Sequence, residues 1–116
     1  MYVDPSLVQY AVRLVSATRN PAKHDLADLQ RFITFGASPR ATINLTEGAR
    51  AMAMLRGRNY VLPEDMSDLV PDVLRHRLVL SYEALSDGLS PDAIVGKIMA
   101  KIPAPAKPLA HEQLAA

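Results

Sequence analysis

The amino-acid sequence predicts an all-α fold, a small bundle of four to five short helices with room for one brief strand pair. Three observations carry that prediction. Asp4-Pro5, Ser38-Pro39 and Ser90-Pro91 each set a capping side chain before a proline, and proline suits the first helical position, where its missing N–H costs nothing. Apolar residues after these starts recur at intervals of three and four instead of alternating. Strand-like character, β-branched and aromatic together, gathers in the short run "RFITF" at 31–35.

The first helix is expected from Pro5 to about Thr18. Leu7, Val8, Ala11, Leu14 and Val15 form its apolar side, Gln9, Arg13 and Ser16 the other, and Asn20-Pro21 ends it. Residues 20–37 read as an irregular connection in which "HDLADLQ" makes a short helical turn and "RFITF" a short strand. The second helix is expected from Pro39 to about Arg56, stopping at Gly57, with Ala41, Leu45, Ala49, Met52 and Leu55 as its apolar stripe. Gly48 inside it costs about 1 kcal/mol relative to alanine, which asks for a neighbouring backbone close by. A third helix starts at "PEDM", where Glu64 and Asp65 suit the positive end of the dipole although Leu62 is a poor cap. Pro71 breaks that run, and "PDVLRHRL" continues as a helical segment to about Leu78. "VLSYEALSDG" stands between strand and turn. The last helix runs from Pro91 to about Lys101, carrying Ile94, Val95, Ile98, Met99 and Ile102 at helical spacing. Residues 1–102 thus form one domain, followed over 103–116 by a flexible tail rich in proline and alanine.

A chain of 116 residues supports one modest core and not two. Its 49% hydrophobic and 22% charged residues are globular in balance, and at 5% aromatic content the core must be aliphatic. A net charge of +1 supplies no field for holding nucleic acid or an acidic membrane. The absence of cysteine excludes disulfides, thiolate zinc sites and cysteine nucleophiles. No stretch approaches the length of a membrane span, and "MYVDPS" lacks the regions of a signal peptide, so a cytoplasmic location is expected. Helical pattern begins almost at the first residue, which suits a domain cut from a longer protein.

The parts of an enzyme are missing. His24, His76 and His111 are scattered without metal-ligand spacing, and no metal site is expected. The acids of "PEDMSD" read as a helix start and an exposed face. No serine sits in a nucleophile elbow, and no G-x-x-x-x-G-K-[ST] loop is present to cradle phosphates. Arg50, Arg56, Arg58, Arg75 and Arg77 read as solvated faces and helix-end cations. The alternative they leave open is a freestanding helical adaptor, or a histone-fold-like module, that binds DNA or protein.

One arginine does not fit this bland description. In "FGASPRATINL", residues 35–45, Arg40 projects from the positive end of a helix, where the macrodipole disfavours a cation. Gly36 frees the backbone ahead of Ser38, and unsatisfied N–H groups of the first turn point outward beside the guanidinium. Such an arrangement suits phosphate oxygens. A lone helix terminus binds phosphate weakly, so a second domain must bring it.

The motifs around Arg40 resemble a family. "GASPRA", then "AMLRGRNYVLPEDM", then "VLRHRLVL" are similar to the C-terminal lid of MoxR-type AAA+ ATPases. A "DP" helix start and "ATRNP" precede them and an isoleucine-rich helix ending in proline follows, so that the resemblance covers about residues 2–103. It implies an AAA+ lid fold in which Arg40 is the sensor 2 arginine, supported by Gly36 and Ser38. That arginine touches the γ-phosphate of ATP, bound with Mg in the Walker loop of a core domain. The resemblance leaves open whether it does so within one subunit or across two. It further implies a hexameric ring, and a chaperone-like role in complex maturation or metal-cofactor insertion, with von Willebrand factor A domain proteins among the partners. Walker A, Walker B, sensor 1 and the arginine finger are absent, so this segment by itself is not expected to hydrolyse ATP.

Overall fold

A computed structural model describes residues 2–105. Helix α1, Pro5–Arg19, starts where the Asp4 carboxylate accepts the Ser6 N–H at 2.9 Å and closes where the Asn20 N–H meets the Ser16 carbonyl at 2.8 Å. It buries Leu7, Tyr10, Ala11, Leu14, Val15, Ala17 and Thr18. Val8, expected inside, is 37% exposed. It lies about 100° round the helix from Leu7, and Tyr10 takes the place it was expected to fill.

Two 3₁₀ turns follow, Pro21–His24 and Ala27–Phe32, joined through Asp25 in the left-handed conformation at φ 60°. They bury Pro21, Leu29 and Phe32, with Leu26 buried between them. Strand β1, Ile33–Phe35, pairs antiparallel with β2, Val79–Leu80, placing Ile33 opposite Leu80 and Phe35 opposite Val79. This is the brief strand pair that the fold class allowed for.

Helix α2, Arg40–Leu55, buries a stripe of small residues, Ala41, Leu45, Ala49 and Ala53. Leu55, assigned to the stripe from sequence, is 83% exposed. The buried positions step forward by four residues each and so drift round the helix, leaving Leu55 about 100° from the centre of the stripe. Gly48 is close to a side chain, not a backbone, since a Cβ there would stand 3.0 Å from Leu69 Cδ1. The helix ends in a Schellman motif. Gly57 adopts φ 78°, its N–H meets the Met54 carbonyl at 3.0 Å, and the Arg58 N–H meets that of Ala53 at 2.9 Å.

The rest of the chain is short pieces wrapped round this pair. Helix α3 is Pro63–Ser67 and α4 is Val70–Leu74. The segment expected to run to Leu78 therefore stops four residues earlier, in a turn at 75–77. "VLSYEALSDG" resolves into β2 and a further helix, α5, Tyr82–Ser86. Ser81 makes that possible: its Oγ accepts the Ala84 N–H at 3.2 Å and donates to the Arg31 carbonyl at 2.7 Å. Helix α6, Pro91–Lys101, begins as expected with Ser90 Oγ accepting the Ala93 N–H at 3.1 Å, and buries Ile94, Val95 and Ile98. Pro103 and Pro105 lie beside Ser6, Gln9, Tyr10 and Arg13 of α1. Residues 106–116 of the expected tail lie outside the described residues. The core is aliphatic, with Tyr10 and Phe32 the aromatic residues buried in it. The fold is an all-α bundle of short helices with a two-stranded antiparallel ribbon.

Candidate functional site

The start of α2 is held by the end of α1. Thr18 is 1% exposed, and its hydroxyl donates to the Val15 carbonyl at 2.6 Å while accepting the Ala37 N–H at 2.9 Å. Gly36 sits directly on this turn. A Cβ at position 36 would come within 2.5 Å of the Thr18 carbonyl carbon and 2.8 Å of the Arg19 nitrogen, distances no side chain tolerates. The glycine is required for close approach, not for the backbone freedom inferred from sequence. In the sequence Thr18 reads only as the end of a helix; the signal for its role at the start of α2 was a hydroxyl in the last turn of a helix, followed by Asn-Pro.

Ser38 differs from expectation. Pro39 already has helical dihedrals, φ −56° and ψ −22°, yet no side chain caps α2. The Ser38 carbonyl accepts the Ala41 N–H at 2.9 Å, and the Pro39 carbonyl accepts that of Thr42 at 3.1 Å. The Ser38 hydroxyl contributes no capping bond because the chain turns tightly through main-chain bonds instead. Among the described residues, nothing takes up the Ser38 or Arg40 N–H. Arg40 itself is exposed, and no acid of the described residues pairs with it. Two shallow hollows flank this start. Val12, Val15, Ser16, Asn20 and Thr42 line one, Thr34, Phe35, Gly36, Ala37 and Ser38 line the other, and Arg19 and Pro39 belong to both. Neither contains an acid.

Arg50, Arg56, Arg58 and Arg75, by contrast, are each committed to a carboxylate. Asp65, assigned from sequence to an exposed face, is fully buried. Arg58 grips it through Nη1 and Nη2, each at 2.6 Å, Arg56 Nη1 lies at 3.0 Å, and the Leu62 N–H donates at 2.7 Å. Burial pushes the Asp65 carboxyl up, but the bonds from Arg58, the Leu62 N–H and Arg56 outweigh it and hold it below its ordinary range. The same bonds replace the cap that Leu62 cannot provide. Arg56 also reaches Asp68 at 2.9 Å. Arg50 pairs with Glu47 at 3.3 Å, and Arg75 with Asp92 at 2.7 Å and Asp72 at 3.2 Å. Four of the five arginines considered for nucleic acid are thus neutralised locally, which removes the clustered positive field such binding needs. Among the described residues no group of His, Cys, Asp or Glu could hold a metal ion, and no helix is long and apolar enough to cross a membrane. His24 Nε2 lies 3.0 Å from Ser16 Oγ, and His111 is outside the described residues.

Comparison with known proteins matches the AAA lid domain model over residues 25–98. Chaperone MoxR1 of Mycobacterium tuberculosis is 44% identical over 104 residues, covering 90% of this chain and 28% of that protein. Protein MoxR of Paracoccus denitrificans is 40% identical over 111 residues, covering 90% of this chain and 32% of its own length. A crystal structure from Cytophaga hutchinsonii, of a protein described as a candidate ATPase, superposes with a TM-score of 0.86 at 42% identity, over 90% of this chain and 32% of that one. The chain therefore spans about a third of the length of the relatives it matches. With a helical bundle of this topology and these relatives, the chain belongs to the AAA lid domain family, on the branch of the MoxR proteins.

Proposed function

We propose that this lid senses nucleotide through Arg40, acting as the sensor 2 arginine of a MoxR-type AAA+ ATPase. The observation that carries the reading is the state of that side chain: it is exposed and without an acidic partner among the described residues, at the first residue of a 16-residue helix. The positive end of a helix gains nothing from a cation, so an anion from elsewhere is the missing partner. Gly36 and Thr18 support the reading because they fix the direction from which α2 sets out. Ser38 supports it through a free main-chain N–H, not through its hydroxyl.

Arg40 and the neighbouring N–H groups fit one end of a triphosphate, and the chain holds nothing that would grip the rest. ATP and its Mg are accordingly assigned mainly to a nucleotide-binding core domain, of the same or a neighbouring subunit. When bound, they supply the phosphoryl chemistry. Arg40 donates to γ-phosphate oxygens, neutralises charge that grows during transfer, and loses its partner after hydrolysis. That loss biases the lid between two orientations. A hexameric ring, a cytoplasmic location, and a chaperone-like role in complex maturation or metal-cofactor insertion on von Willebrand factor A domain proteins complete the reading.

In the intact ATPase, Arg40→Ala is expected to lower ATP turnover by about two orders of magnitude or more, as loss of a transition-state arginine does. Wild-type turnover in that variant would remove Arg40 from the site.

A further inference from the structure

A further hollow lies at the other end of α1, away from Arg40. Ser6, Gln9, Tyr10 and Arg13, one face of α1 at helical intervals, form one wall, and Pro103 and Pro105 the other. Its volume is about 120 Å³. That is too small for a nucleotide or an organic cofactor, whose pockets start near 300 Å³, and larger than one water needs.

Tyr10 is the informative residue. It is 4% exposed, and its hydroxyl has no hydrogen-bond partner among the described residues. A buried tyrosine normally finds one, and leaving the group unpaired costs stability. Burial pushes the Tyr10 phenol up, so at neutral pH it keeps its proton and can donate. Arg13 beside it is exposed, and no acid of the described residues pairs with it. Asp4, the acid nearest in sequence, is occupied by the Tyr2 hydroxyl at 3.2 Å and the Ser6 N–H at 2.9 Å. The wall therefore offers donors and one positive charge with nothing to receive them.

We infer that this hollow binds a carboxylate on a short hydrocarbon stem, as in an acidic side chain, with Arg13 and the Tyr10 hydroxyl as donors. A carboxylate takes a guanidinium side-on and accepts a further bond from a hydroxyl, and the faces of the two prolines give the stem apolar contact. Phosphate sites draw on main-chain N–H groups. Here those of Ser6 and Leu7 are taken by Asp4, and the prolines have none. The acid comes from a partner polypeptide or from Glu112 of this chain. The site is independent of the sensor 2 reading.

Saturation-transfer NMR of propionate, which reproduces the end of a glutamate side chain, tests the site in the intact ATPase. Tyr10→Phe and Arg13→Gln are each expected to weaken propionate binding about tenfold or more, as loss of a hydrogen bond to a charged group does. Propionamide and inorganic phosphate are expected not to displace it. Tyr10→Phe removes a hydroxyl that serves no bond in the fold, so the melting temperature should not fall. Propionate binding that is equal in wild type and both variants overturns the proposal, and so does displacement by propionamide. Glu112→Gln assigns the source. Tighter propionate binding in that variant supports the site with this chain's own carboxylate as competitor, and unchanged binding supports it with the acid of a partner polypeptide.

Discussion

The two ends of α2 carry the same residue type and treat it in opposite ways. At the C-terminal end, Arg56 and Arg58 meet a favourable dipole and the buried carboxylate of Asp65, and every strong donor there points at an acceptor. At the N-terminal end, Arg40 meets an unfavourable dipole and no carboxylate of the described residues. One end is a closed joint that fixes α3 to α2. The other is held just as firmly, through Gly36 and Thr18, but its charge is left over. An arginine's role is therefore set by what surrounds it: paired, it is architecture, and unpaired on a rigid mount, it is available to a ligand.

The closed end gives the largest effect on folding. Asp65→Ala leaves Arg58 with the Tyr60 carbonyl in place of a carboxylate and frees the Leu62 N–H. Removing one partner of a buried pair costs 3–5 kcal/mol, and with Arg58 still 19% exposed the loss expected in a urea titration is about 3 kcal/mol. The pH dependence follows in sign. A carboxyl held below its ordinary value stabilises the fold at pH above its unfolded pKa, about 4, and loses that contribution as pH falls through its folded value. The stability gap between wild type and Asp65→Ala is thus expected to narrow below about pH 4. A gap that widens there would refute the ion-pair account.

Gly36→Ala comes next and bears on the open end. Its Cβ meets backbone that cannot swing aside, so a loss of about 1–3 kcal/mol is expected. In the intact ATPase it is also expected to slow turnover, because the start of α2 must move for the methyl to fit. Normal turnover in a folded Gly36→Ala variant would show that the aim of Arg40 is not set there. The smallest effect belongs to Arg40→Ala, which should leave lid stability within about 0.5 kcal/mol of wild type. A larger loss would mean that Arg40 is architecture like Arg58.

The same contrast explains what was legible in the sequence. Helices α1, α2 and α6 were read nearly to their ends, because a capping pair and a run at helical spacing agree locally. Helix α5 was not, because Ser81 serves the strand ribbon and the helix at once, and only the fold brings Arg31 beside it. Asp65 was misread as exposed, since acids in a first helical turn usually are. Its burial depends on Gly57 turning the chain back so that Arg56 and Arg58 arrive from the preceding helix end. Arg40 stood out at once, because its conflict with the helix dipole is local. The reason for Gly36 did not, because the neighbour it approaches, Thr18, lies on a different helix.

The central claim is that Arg40 distinguishes nucleotides by their γ-phosphate. The direct measurement is the ratio of ATP to ADP affinity in the intact protein, for wild type and for Arg40→Ala. A charge-assisted hydrogen bond is worth about 1.5–3 kcal/mol, so the substitution should weaken ATP binding roughly 10- to 100-fold and leave ADP binding unchanged. Equal ATP-to-ADP ratios in the two proteins would contradict the account.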